Sequence, residues 1–127
     1  MPTIYGILES ALYVTDLEKS SQFYRKLFGF ELIDSSQRLC AMGVAAGQIL
    51  LLFKRGASSD HDGAGRLHLA FSVPASDLDN WERFLSENGI AIENRKNWDY
   101  GGRSIYFRDP DQHLLELATP GTWRSVW

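Results

Sequence analysis

Two stretches have the same layout: Leu8-Glu9-Ser10-Ala11-Leu12-Tyr13-Val14 and Leu67-His68-Leu69-Ala70-Phe71-Ser72-Val73. In each, a residue able to bind a metal stands second, alanine stands fourth and valine closes the run. Side chains alternate across a strand, so the second, fourth and sixth residues share one face. Leu12 and Val14, and likewise Phe71 and Val73, are then free to pack on a helix, while Glu9 and His68 look out of the opposite face.

Each of these runs is followed by a helical pattern. Asp16 is a helix start, since its carboxylate can accept from the first-turn amides, and Glu18 adds favourable charge there. Leu17, Ser20, Phe23, Tyr24, Leu27 and Phe28 recur at spacings of three and four, which places the large residues on one stripe. Gly29 supplies a left-handed cap. Strands are expected over about Tyr5 to Val14, Phe30 to Asp34, Arg38 to Val44 and Gln48 to Lys54. In the second half Asp77 opens a helix carrying Leu78, Trp81, Phe84 and Leu85, and Asn88-Gly89 closes it. Strands follow at Ile90 to Glu93, Arg103 to Arg108 and Leu114 to Ala118, the last two joined by an Asp109-Pro110-Asp111-Gln112 turn.

The halves repeat. Glu9 and His68 lie 59 positions apart, as do Val14 and Val73, whereas Asp16 and Asp77 differ by 61 and Gly29 and Gly89 by 60. Two strand-helix-strand-strand-strand units, about 5–54 and 66–118, account for this spacing within one domain of 127 residues. The glycine-rich, polar segment 55–65 between them reads as a mobile linker, with His61 solvated inside it.

Composition narrows the classes. An apolar content of 44% with 23% charged residues is that of an ordinary soluble domain. A formal charge of -3 speaks against a nucleic-acid partner. No apolar run is long enough to span a membrane, and the first residues lack signal-peptide character. The single cysteine, Cys40, sits in an apolar strand and reads as a buried thiol. A cytoplasmic setting is the expectation that fits best.

The chain resembles the vicinal-oxygen-chelate superfamily, which includes glyoxalase I, bleomycin-resistance proteins, fosfomycin-resistance enzymes and extradiol dioxygenases. The resemblance is carried by Tyr13-Val14-Thr15-Asp16-Leu17-Glu18-Lys19-Ser20, Phe23-Tyr24, Leu27-Phe28-Gly29-Phe30, His68-Leu69-Ala70-Phe71 and Tyr106-Phe107-Arg108-Asp109-Pro110-Asp111-Gln112-His113-Leu114-Leu115-Glu116-Leu117. It implies an α+β fold, two βαβββ repeats forming a cupped mixed sheet with the helices outside, and commonly a homodimer.

In metal-using members the first and fourth strands of each unit supply the ligands. That pattern points to Glu9, His68 and Glu116, with Leu51 at the fourth place, where nothing can coordinate. Fosfomycin transferases and extradiol dioxygenases usually use two histidines and one glutamate; here a glutamate, Glu9, stands where histidine is commoner. One imidazole and two carboxylates suit Mn(II), Fe(II), Ni(II) or Mg(II), and zinc is also compatible. Such a metal would leave room for a small substrate with adjacent oxygens and polarise it.

Strand parity places Ser104 with Tyr106, and Tyr13 with Glu9. Similar serine and tyrosine placements in fosfomycin transferases contact the phosphonate, so the resemblance implies that Ser104 and Tyr106 orient a substrate, with packing the alternative for Tyr106. Trp98 and Tyr100, beside Gly101-Gly102, are candidates either to cover an apolar substrate or to meet a second subunit. His113 reads as a turn residue at the mouth, not a ligand. The tail carries Trp123 and Trp127, which favours docking on a partner chain. Three readings result: a metalloenzyme, either ring-cleaving dioxygenase or glyoxalase-like lyase/isomerase; a metal-free drug-binding protein of the bleomycin-resistance kind; and a fosfomycin-type thiol transferase.

Overall fold

In the computed structural model, residues 1–57 and 62–124 are described. The chain divides into two compact units, Met1–Gly65 and Arg66–Trp127, and the division falls where the second repeat begins. His61 lies outside the described residues, as does Trp127.

The first unit runs β1 (Glu9–Val14), α1 (Leu17–Phe28), β2 (Glu31–Ser35), β3 (Leu39–Ala45) and β4 (Gln48–Lys54). Its four strands form one mixed sheet in the order β1-β4-β3-β2, with β1 parallel to β4 and the other pairs antiparallel. The helix starts where its sequence says it should. Asp16 is extended and its carboxylate accepts from the Lys19 amide at 3.0 Å, while Gly29, at φ 71°, donates its N–H to the Arg25 carbonyl. Tyr24 and Leu27 are buried, together with Leu12, Val14, Cys40, Met42, Leu50 and Leu52 from one face of the sheet. Each such aliphatic side chain contributes about 1.5–3 kcal/mol of transfer free energy.

The second unit repeats the plan as β5 (His68–Ser72), α2 (Leu78–Glu87), β6 (Asn94–Asn97), β7 (Arg103–Arg108) and β8 (Leu114–Ala118), with sheet order β5-β8-β7-β6. Ile105, Phe107, Leu115 and Leu117 point to one face and are buried, as are Leu78 and Leu85 of α2. The α+β class and the doubled βαβββ plan are therefore those expected.

Three local expectations change. The first strand begins at Glu9, not Tyr5. Its partner is β4, whose register starts with Ile49 opposite Glu9, and the amide of Ile49 reaches the Leu8 carbonyl, so the chain before Leu8 has no ladder to join. In the second half Asp77 makes no side-chain cap; a 3₁₀ turn over Ala75–Asp77 precedes the helix instead. Finally, the strand expected at Ile90 to Glu93 forms at Asn94–Asn97. The Ile90 amide is taken by the Leu85 carbonyl at the end of the helix, and pairing with β7 starts only when the Glu93 amide reaches the Tyr106 carbonyl at 2.7 Å.

On either side of residues 58–61, described residues of the connecting segment form hydrogen bonds. The Gly56 amide donates to Asp62 Oδ1 at 3.0 Å, and Arg55 Nη2 donates to the Gly65 carbonyl at 3.3 Å. Gly63 lies so close to the Tyr13 ring that a Cβ there would fall 2.7 Å from it.

Candidate functional site

The second sheet sets a row of polar side chains on the face opposite its apolar one. Register is the cause. His68 stands beside Leu114, Ala70 beside Glu116, Glu116 beside Tyr106, and Ser104 beside Lys96. Partners across a ladder point to the same side, so His68, Glu116, Tyr106, Ser104 and Lys96 share one face of four strands.

Glu116 is the centre of that face. It is 6% exposed, and both its oxygens are engaged: Tyr106 donates its hydroxyl to Oε1 at 2.9 Å, and His68 Nε2 lies 3.1 Å from Oε2. The other nitrogen of His68, Nδ1, sits 3.0 Å from the Leu114 carbonyl oxygen. A carbonyl only accepts, so Nδ1 carries a hydrogen. A neutral ring would then set the Nε2 lone pair against a carboxylate. The contact is completed by a proton between Nε2 and Oε2 or by a cation that the two share.

Burial pushes the Tyr106 hydroxyl up to about 12, and its hydrogen bond to Glu116 and that carboxylate's charge act in the same direction. The phenol is therefore a donor throughout the physiological range. Its ring lies 6.3 Å from the imidazole of His68 in a stacked arrangement. Lys96 Nζ lies 5.5 Å from the Tyr106 ring centre and 5.4 Å from that of Trp98, within reach of a cation–π interaction. Trp98 in turn donates its indole N–H to Ser104 Oγ at 2.8 Å. Ser104 is 1% exposed, so the contact fixes the indole against the sheet.

The turn carrying Trp98 and Tyr100 is closed at both ends, by Trp98 N–H to the Gly102 carbonyl and Gly101 N–H to the Trp98 carbonyl. Gly102 serves close approach, since a Cβ there would fall 2.2 Å from the Thr122 nitrogen, whereas Gly101 takes a positive φ of 89°. Tyr100 is 57% exposed and stands at the outside of this turn.

In the first unit Glu9, Ala11 and Tyr13 share a face, opposite Ile49, Leu51 and Phe53 in register. Glu9 is exposed. The Tyr13 ring stacks on Phe53 with centroids 5.9 Å apart. Leu51 stands beside Ala11, an apolar pair with no donor atom to offer. Among the described residues of either unit, no three His, Cys, Asp or Glu side chains gather as a ready metal-binding set; the second unit brings together two of the three expected, His68 and Glu116.

Lys96 was not anticipated. It lies in an all-polar, exposed strand, Asn94-Arg95-Lys96-Asn97, that leaves no hydrophobic alternation to read. A lysine three residues after Glu93 and two before Trp98 was the only available signal.

Residues 6–117 match the model of the Glyoxalase/Bleomycin resistance protein/Dioxygenase superfamily. A metallothiol transferase FosB of Staphylococcus epidermidis is 31% identical over 107 residues, 84% of this chain and 75% of that protein. The crystal structure of a lactoylglutathione lyase from Agrobacterium tumefaciens superposes with a TM-score of 0.86 at 28% identity, covering 96% of this chain and 98% of the other. The fosfomycin resistance protein FosX of Listeria monocytogenes superposes at 0.72 with 27% identity, over 92% and 94% of the two chains. With both repeats present and the match running over nearly its full length, the chain belongs to the glyoxalase/bleomycin resistance protein/dioxygenase superfamily.

Proposed function

We propose that this protein is a divalent-metal-dependent enzyme that brings a thiol together with a small, oxygen-rich anion, and that its reaction is thiol transfer of the fosfomycin-resistance type. The observation that carries this reading is the His68–Glu116 pair, 3.1 Å apart with Nδ1 of the imidazole committed to a carbonyl. One nitrogen and one carboxylate oxygen, both able to give a lone pair to the same point, fit Mn, Fe, Ni, Mg or Zn. His68 and Glu116 would hold the ion, and Glu9 is retained as the third ligand on the sequence pattern alone. When bound, such an ion supplies Lewis acidity to a substrate oxygen.

The remaining groups act on the substrate themselves. Lys96 offers an ammonium, held over two rings, to a phosphonate or carboxylate. Tyr106 holds Glu116 Oε1 and leaves Oε2 toward His68. Trp98, fixed by Ser104, gives an apolar wall that limits water. Tyr13 and Tyr100 complete the proposed substrate contacts. In thiol transfer to an epoxide the sulfur forms a bond to carbon as a carbon–oxygen bond breaks, and the freed oxygen takes the proton lost by the thiol.

Incubating the protein with fosfomycin, a thiol and Mn(II), and following adduct formation by mass spectrometry, tests the reading. An adduct that disappears in E116Q is expected; none with any common cellular thiol would contradict it. The lyase resemblance, 0.86 in TM-score, favours a second reading, in which the thiol is already joined to an aldehyde and the product is its rearranged thioester. Glutathione with methylglyoxal, assayed alongside, separates the two.

A further inference from the structure

We propose that His113 is a positioning residue that sets the His68 side chain, acting through the backbone of Leu67; the proposal rests on His68 belonging to the functional site. His113 is fully buried. Its Nδ1 accepts the Leu67 amide hydrogen at 2.9 Å, across 46 residues of sequence. The next residue does two further things: the Leu114 amide donates to the Leu67 carbonyl at 2.8 Å, and the Leu114 carbonyl accepts from His68 Nδ1 at 3.0 Å. Two consecutive residues thus hold both backbone polar groups of Leu67 and one nitrogen of the neighbouring imidazole.

This grip is placed at the start of β5, which among the described residues is an edge strand paired with β8 alone. Without it, the residue at the very end of a one-sided ladder would fray. His68 is that residue, and its ring is about half exposed, so packing alone does not orient it.

The turn that carries His113 is itself over-determined. Asp109 Oδ1 accepts from the amides of both Asp111 and His113, each at 2.9 Å, and the Asp109 amide donates back to the His113 carbonyl at 3.2 Å. Gln112 takes a positive φ of 68° to allow this, and Arg108 Nη1 donates to its carbonyl at 3.1 Å. A turn joining β7 to β8 needs none of this merely to reverse the chain. Its geometry delivers an acceptor nitrogen to one particular backbone amide, and that amide precedes the histidine.

Replacement separates the acceptor from the ring. Asparagine can offer Oδ1 near the position of Nδ1, whereas leucine fills similar space with no acceptor. Three measurements on wild type, H113N and H113L decide the proposal: hydrogen exchange at the Leu67 amide, the 15N signature of the His68 ring, and Mn(II) affinity. In H113L the Leu67 amide should exchange on the order of tenfold faster. Mn(II) affinity should fall by about 10–100-fold, the usual effect of losing a group that orients a ligand. The H113N variant should keep both within about threefold and retain the wild-type signal of a protonated Nδ1 on His68. A folded H113L with unchanged Leu67 exchange and an unchanged His68 signal overturns the proposal. If H113L does not fold, H113N decides it alone: retention supports, and loss of Leu67 protection in a folded H113N overturns. Should wild type bind no Mn(II), the metal reading fails, while exchange and the His68 signal still test His113.

Discussion

At the scale of single residues, the chemistry gathers around one buried carboxylate. Glu116 has a donor on one oxygen and an imidazole at the other, so changing Glu116 to Gln should remove most metal binding and lower thiol-transfer activity by at least about 100-fold. Replacing Tyr106 with Phe strips Oε1 of its donor. Thermal or urea unfolding of Y106F should show a loss of about 1–3 kcal/mol, the cost of leaving a buried acceptor unpaired. Lys96 acts by charge on an exposed strand; K96Q should raise KM for an anionic substrate on the order of tenfold and leave kcat nearly unchanged, with the difference shrinking at high salt. The Arg108 guanidinium, bonded to both oxygens of Glu93 at 2.6 and 2.9 Å, holds that carboxyl below its ordinary value. A depressed carboxylate stabilises the fold above its unfolded value and loses that contribution as pH falls through the folded one. An NMR titration of Glu93 should give a midpoint below 4.5, moving up in R108Q.

Residue identity was legible where parity was. Counting within β7 places Ser104 with Tyr106, and the family pattern points to His68 and Glu116; that all four share one face follows from the register of β5, β8 and β7. Lys96 escaped the count. Its strand is paired through backbone to β7, and every side chain on it is exposed, so nothing hydrophobic marks it as a strand.

At the scale of elements, the same contrast explains which boundaries could be read. Asp16 and Gly29 fix α1 because capping is local chemistry, visible in sequence. The start of β6 depends on where the Ile90 and Glu93 amides find partners, Leu85 and Tyr106, and those partners are distant in the chain or on another element. Ile90 closes the end of the helix through its amide and does not start a strand. The glycine pair after Tyr100 is likewise an element-scale feature. A Cβ at Gly102 meets the backbone of Gly121 and Thr122 at 2.2–2.8 Å, so G102A should cost at least about 2 kcal/mol in unfolding free energy and loosen the Trp98 turn, seen as a shift in tryptophan fluorescence.

At the scale of the whole molecule, the doubling was the most legible property, since it is written as a spacing of about sixty in strands, caps and glycines alike. The doubling also shows where the two copies diverge: Leu51 beside Ala11 holds the place that Glu116 beside Ala70 holds in the second unit. No helix among the described residues is long and apolar enough to cross a membrane. In the first unit Ile4, Tyr5 and Ile7 are 80–99% exposed, and in the second Trp123 is 70% exposed; these are apolar side chains that a homodimer would cover. We propose that state; light scattering should give twice the chain mass of 14.4 kDa, and a strictly monomeric protein would remove it.

The most direct measurement is elemental analysis of protein purified without chelator, paired with Mn(II) titration of wild type and E116Q. The account predicts one divalent ion per chain, or its uptake by metal-depleted wild type, and failure of E116Q to hold it. A wild-type protein that arrives free of metal and takes up none, or an E116Q variant that binds as tightly as wild type, would contradict it.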